Sequence, residues 1–262
     1  MKKNTFRIAG LAAIIALSPT ILITSCQKEE VAQAAAPAPD GPAPLSFTED
    51  FNDVSKLSAR GWAFRNNSSP VGTQGWRVGR YETLIAPSNK PNLPAIVGFP
   101  AYNATKSPND FVSCDVAAVN TNGDISAWLI TPPMTIKNGD VLTFYTRAMD
   151  DTQFPIYTID RMQVRGNFTD GTANVGTTPS SVGSFTTLLL DINPSMVEND
   201  LGGYPYTEWE EFSITFSGLT GTVKNARLAF HYFMPDSGIE GGSSAARYAS
   251  LIGVDNVVFE SN

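Results

Sequence analysis

Glu49, Asp50 and Asn52 stand close together, and Asp255 and Asn256 lie near the other end of the chain. Carboxylates and amides are the donors that calcium uses, about six to eight oxygens at roughly 2.3–2.6 Å. On a strand over residues 46–51, alternation sets Glu49 on the face of Phe47 and Phe51, which buries it. A buried carboxylate needs a partner, and a cation is a good one. The same alternation turns Asp50 to the other face, where its backbone carbonyl could still serve. A structural Ca2+ held by Glu49, Asp50 and Asn52, joined by Asp255 if the two ends of the chain pair, is one expectation, and a solvated acidic strand end is the other. Aromatic rings form the second group. Tyr204-Pro205-Tyr206, with Trp209 after it, reads as a loop that carries rings into solvent. Exposed loop aromatics are costly unless used, and rings of this kind stack on sugars. Tyr204, Tyr206 and Trp209 are the candidate ligand-binding residues.

Other chemistries lack their residues. One histidine cannot build a His-rich metal site, and two cysteines cannot build a zinc cage. His231 lies in Ala229-Phe230-His231-Tyr232-Phe233 and faces the same way as Ala229 and Phe233, a packing or sheet-face position. There is no G-x-S-x-G elbow and no Walker-type loop. Glycoside hydrolysis needs two acids flanking the bond, about 5–5.5 Å or 6.5–9.5 Å apart. Glu208, Glu210 and Glu211 make the nearest acid cluster, but their spacing splits them between two faces. Asp150-Asp151 reads as a solvated loop. No catalytic residue is expected, and the protein is expected not to be an enzyme.

The elements that must position these residues are strands. The chain has 262 residues, with 18 Lys+Arg against 25 Asp+Glu for a net charge of −7. That balance argues against a nucleic-acid partner, which calls for a basic footprint. Charged residues make up only 16%, while 21 Gly and 18 Pro follow no fixed period, which fits an all-β protein rich in turns. Short β-rich runs fill the chain from Leu45 onward, among them Ser46–Phe51, Ala127–Ile130, Val141–Ala148, Asp160–Arg165, Trp209–Phe216, Arg227–Phe233 and Ala249–Phe259. Glu210, Phe212, Ile214 and Phe216 form the buried set of their strand. No long amphipathic helix is evident, and the pattern predicts a sandwich or jelly roll over 45–262 as one domain.

The first 25 residues are an address. Lys2, Lys3 and Arg7 precede an apolar run over Ile8–Leu17, too short to span a bilayer. Leu22-Ile23-Thr24-Ser25-Cys26 resembles a bacterial lipobox, which implies cleavage before Cys26 and lipid on its thiol. Several acyl chains anchor durably, since each buried methylene adds about 0.8 kcal/mol. Gln27-Lys28-Glu29-Glu30 resembles the surface-export signal of Bacteroidetes-type lipoproteins, which implies an outer-membrane protein facing the medium. Residues 26–44, with their Ala/Pro-rich stretch, read as a spacer that holds the domain off the membrane. Removing 1–25 takes away three basic residues and no acids, which leaves 15 against 25, a balance of −10. With Cys26 lipidated, Cys114 has no disulfide partner, and its apolar run points to a buried thiol.

Several strings then become familiar in order. Trp128-Leu129-Ile130-Thr131-Pro132-Pro133 with Gly139-Asp140-Val141-Leu142-Thr143-Phe144 resembles a segment of the cleaved-adhesin and choice-of-anchor J domains. Asp160 to Arg165, Val182 to Leu190 with Ile192-Asn193-Pro194, and Ile252 to Val257 continue the match, as does the opening Phe47 to Asn52 with Gly61-Trp62. The resemblance covers nearly all of 45–262. It implies a concanavalin-A-like or jelly-roll β-sandwich on a bacterial surface protein, with first and last strands paired. That pairing would bring Glu49, Asp50 and Asn52 to Asp255, where relatives often carry calcium. The chain departs from the pattern at Ala249-Ser250-Leu251, where relatives carry an Asp-Tyr. The expected function is adhesin-like binding of a glycan or a protein, with a glycan-cleaving enzyme or a ligand-free structural protein as alternatives. Nothing in the sequence fixes the oligomeric state.

Overall fold

The computed structural model describes residues 46–84, 95–104, 106–150, 158–238 and 249–262. The predicted signal segment, Cys26 and the spacer lie outside the described residues. The strands are β1 (Phe47–Glu49), β2 (Ala63–Asn66), β3 (Ser69–Val71), β4 (Arg77–Val78), β5 (Tyr81–Leu84), β6 (Ala95–Gly98), β7 (Val112–Asp115), β8 (Val119–Ile130), β9 (Met134–Ile136), β10 (Val141–Ala148), β11 (Met162–Asn167), β12 (Thr187–Ile192), β13 (Glu210–Thr215), β14 (Val223–Gly238) and β15 (Leu251–Glu260). Between them the described residues hold only single 3-10 turns as helix.

The strands build two antiparallel sheets and a short β5–β6 ribbon. The first sheet runs β13-β10-β15-β7-β4, with β1 also paired to β15. The second runs β12-β11-β14-β8-β2, with β3 on β8 and β9 on β14. This is the all-β, jelly-roll-like sandwich that the strand pattern predicts. The expected pairing of first and last strands is present, with Phe47 opposite Phe259 and Glu49 opposite Val257.

Alternation explains which residues meet between the sheets. Along β10, Leu142, Phe144 and Thr146 are buried, and along β14 Leu228, Phe230 and Tyr232 are buried. Phe144 meets Phe230 edge to face, with ring centroids 5.0 Å apart. Each such side chain contributes about 1.5–3 kcal/mol by leaving water. Of the set predicted to be buried, Phe212, Ile214 and Phe216 pack on the same core, but Glu210, at the head of this edge strand, is exposed. Cys114 points into that core, fully buried, and burial pushes its thiol well up. Two smaller clusters lie apart from this core. Trp128, Ile130 and Ala229 pack under Val175 and Phe185, and Phe99 and Phe111 pack with Leu251 and Trp209.

Strand lengths differ from expectation for a tertiary reason. The strand predicted at Ala127–Ile130 is the end of β8, which begins at Val119. Asn120-Thr121-Asn122-Gly123 has turn composition, but pairing overrides it: Gly123 lies opposite Ser237, and Asp124 opposite Ser69. Glycine is needed there because a Cβ on Gly123 would stand 2.1 Å from the Ser69 carbonyl oxygen.

Candidate functional site

A cleft of about 690 Å³ opens where β12 and β13, the edge strands of the two sheets, lie on one side of the sandwich. Leu190–Ile192 and Trp209–Phe212 form its walls, and Gly202–Glu208 crosses between them. Its volume falls in the range of about 300–1,000 Å³ that suits small-molecule sites. The lining mixes rings with polar groups: Tyr206, Trp209 and Phe212 stand beside Asn193, Glu208 and Glu210.

The structure brings the predicted Tyr204, Tyr206 and Trp209 to this cleft but changes their roles. Tyr204 is a core residue, 1% exposed, and not a ring offered to solvent. Its hydroxyl bonds the Thr146 hydroxyl at 2.6 Å, and its ring joins the main core. Gly202, at φ 89°, turns the chain before it. Gly203 comes so near the Val197 carbonyl that any Cβ would stand 2.2 Å from it. Tyr206 is half-buried, and its carbonyl accepts a 2.7 Å bond from Arg147. Trp209 is half-buried too, and its indole N–H donates to the Pro100 carbonyl at 2.9 Å. Phe99 and Phe111 hold its ring edge-on, with centroids at 5.2 and 5.5 Å. Trp209 is thus a fixed ring, which costs a ligand little ordering.

The strand-end acids separate into two environments. Glu49 is buried, as alternation requires, but its partner is a guanidinium. Arg60 Nε donates to Oε2 at 2.9 Å and Arg60 Nη2 to Oε1 at 2.8 Å, while the Phe51 N–H reaches Oε1 at 3.1 Å. The place foreseen for calcium at Glu49 is filled by a side-chain cation. Asp255, on the outer face of the first sheet, accepts backbone N–H bonds from Asn256 at 2.7 Å and Tyr102 at 2.9 Å. Burial pushes its carboxyl up to about 7 against those bonds, and the like charge of Asp50 adds to the rise. Asp50 in turn accepts the Asn52 backbone N–H at 3.2 Å. Asp50 lies near enough for its charge to act on Asp255, and a cation there would draw further oxygens from Asn52 and backbone carbonyls. Among the described residues no group of three His, Cys, Asp or Glu could hold a metal ion.

Comparison with known proteins gives a fold likeness. No family model and no curated protein matches the chain. Among solved structures, it is similar to the K1 cleaved adhesin domain of Lys-gingipain from Porphyromonas gingivalis, at 18% identity and a TM-score of 0.45, covering 83% of this chain and 98% of that one. It is similar also to the K3 cleaved adhesin domain of the same protein, at 18% identity and a TM-score of 0.44, covering 82% and 98%. A mannan-recognising carbohydrate-binding module matches at 11% identity and a TM-score of 0.32, covering 82% and 96%.

One residue that supports the cleft from below, through Asn199, escaped the sequence reading. Asp160 is fully buried and accepts from Ser250 N at 3.0 Å, Ser250 Oγ, Asn199 Nδ2 at 2.8 Å and the Tyr232 hydroxyl. Burial pushes its pKa up, and these donors pull it back. Asn199 then receives the Tyr204 N–H at 3.3 Å, which ties the cleft-crossing segment to both sheets. The signal was an acid at the head of an alternating strand, two residues before the inward Met162.

Proposed function

We propose that this protein is a non-catalytic binding module of the choice-of-anchor J type, an adhesin-like lipoprotein displayed on the outer membrane, and that its cleft takes a glycan. The observation that carries the reading is the cleft itself, where the fixed ring of Trp209 and the half-buried Tyr206 stand beside amide and carboxylate groups. A sugar presents apolar ring faces and hydroxyls together, and this lining answers both. A glycan array probed with the full-length protein and with Trp209→Ala tests it. Binding to a defined glycan that weakens at least tenfold in the variant supports the reading, and no glycan bound by either protein overturns it.

Anchoring through lipid on Cys26 follows from the lipobox and the export signal after it. In the producing cell, Cys26→Ala should leave the membrane fraction, and its retention there would refute the anchor. We also propose that Ca2+ binds at Asp50, Asn52 and Asp255, without Glu49. The like charge that Asp50 adds at Asp255 supports this. Chelation should lower the melting temperature, and an unchanged melt sinks the ion.

A further inference from the structure

The lining of the cleft is one-sided in charge. Asp191, Glu208 and Glu210 line it, and no lysine or arginine does. Asp191 is already engaged: Arg161 Nε lies 2.9 Å from its Oδ1 and Arg161 Nη2 2.6 Å from its Oδ2, with Gln163 Nε2 at 2.9 Å from Oδ2. Glu208 and Glu210 are exposed, and neither forms an ion pair among the described residues. Glu210 lies opposite Thr146, which is buried between the sheets, so alternation turns it with Phe212 toward the gap that the cleft occupies.

A buried cation, Arg147, lies beneath the crossing segment. It takes no part in the lining, is 8% exposed, and donates through Nη2 to the Tyr206 carbonyl. Its guanidinium stands over the Phe99 ring, 4.6 Å from the centroid. Burial lowers its pKa, and the charges of Glu208 and Asp150 oppose that shift. One enclosed cation thus answers more than one carboxylate, and the space open to a ligand stays negative.

The hydrogen bonds of the lining lean the same way. Asn199 Nδ2 donates to Thr158 Oγ1 at 3.0 Å and to Asp160 Oδ2 at 2.8 Å, and its Oδ1 receives the Asp160 and Tyr204 N–H groups at 3.2 and 3.3 Å. Asn193 Nδ2 donates to the Asp160 and Val197 carbonyls at 2.9 and 2.7 Å, and its Oδ1 receives the Val197 N–H at 2.8 Å. Both amides are therefore engaged within the protein. The polar side chains left for a ligand are the Tyr206 and Thr207 hydroxyls and the carboxylates of Glu208 and Glu210. An ionised carboxylate only accepts, and a hydroxyl has one hydrogen to give. A ligand that brings its own hydrogens suits this set, and one that brings carboxylate or sulfate oxygens does not.

We infer, resting on the glycan reading of the cleft, that it selects amino sugars with free amines, such as a chain of glucosamine units, over neutral and acidic glycans. The ammonium supplies both positive charge and N–H donors, and its bonds to Glu208 and Glu210 are the charge-assisted kind. The rings favour the same ligand, because the face of Trp or Tyr attracts a nearby cation. N-acetylation removes the charge and adds a carbonyl, which the lining has little to answer. A lysine side chain carries the same ammonium, but on a flexible stem with no ring face to lay on Trp209, and holding it still has a larger entropy cost.

The test is calorimetric titration of the full-length protein, at a mildly acid pH where the sugar amines carry protons, with the tetramers of glucosamine, N-acetylglucosamine, galacturonate and lysine. The glucosamine tetramer should bind at least tenfold more tightly than each of the others, and more weakly as salt rises. Glu208→Gln/Glu210→Gln, at two exposed positions, should erase the preference over the N-acetylated chain, and Trp209→Ala should weaken the glucosamine tetramer at least tenfold. Equal binding of the N-acetylated chain, a preference that survives the double variant, tetralysine bound as tightly, or no binding of the glucosamine tetramer overturns the inference. An N-acetylated chain that binds equally well and loses its binding in Trp209→Ala overturns the amine preference alone and leaves the glycan reading standing. Glucosamine binding that Trp209→Ala does not change places the ligand outside the cleft and overturns the preference assigned to it.

Discussion

At Glu49 the local sequence rule held and the choice of partner did not. Alternation buried the carboxylate, but Arg60 lies on a 3-10 turn that no strand pattern would place beside it. The pair is testable by removing its more exposed half. Arg60→Ala should destabilise the fold by about 1–3 kcal/mol, because it strands a buried carboxylate with only the Phe51 N–H. Urea unfolding measures it, and an unchanged midpoint would show that something else balances Glu49. Tyr204 teaches the same point from the other side. Its loop composition suggested exposure, yet Gly202 and Gly203 send it inward to Thr146, a partner 58 residues away in sequence. Trp209 was legible as a candidate ring, but its support by Phe99 and Phe111 was not, since those residues come from a distant loop.

Among the elements, the turn between β9 and β10 was readable from Asn138-Gly139-Asp140, where Gly139 takes φ 92°. Its larger task appears only in three dimensions. Asp140 accepts from the Lys137 backbone N–H and from Lys137 Nζ, both at 2.8 Å, and from the Asn262 N–H at 3.1 Å. Burial alone would raise this carboxyl, but those donors hold it below its ordinary value. A carboxylate with a lowered folded pKa adds stability above its unfolded pKa, and that stability fades as pH falls through the folded value. Asp140→Asn should therefore melt below wild type at neutral pH, and the gap should close as pH drops below about 4. Thermal melts across pH 2–7 follow it, and a gap that stays constant refutes the assignment. The longest elements were the least legible. β8 and β14 extend through polar stretches because each is paired along most of its length.

For the whole molecule, the described domain has no disulfide and its described cysteine is buried, so its stability rests on the contact between sheets. Phe230 lies on the central β14 and touches Phe144 of the other sheet. Phe230→Ala should cost about 3–5 kcal/mol, a large share of the roughly 5–15 kcal/mol that holds an ordinary domain folded. Denaturant unfolding reads it directly, and a loss below 1 kcal/mol would mean that the sheets hold together elsewhere. The sandwich class was legible because many short alternating runs with Gly, Pro and Asn turns admit few other solutions. The cleft was half legible, since it depends on which two strands become edges, and β12 and β13, consecutive in the chain, end up at the edges of different sheets.

The short first strand has a mechanical consequence. β1 meets β15 over three residue pairs, and just beyond it Arg60 grips Glu49 with two bonds. A pull on the chain from the N-terminal side loads this strand before any other described strand. The clamp then acts as a fuse ahead of the long central strands, so a tug strong enough to peel β1 leaves the two-sheet body whole and able to re-zip when the load falls.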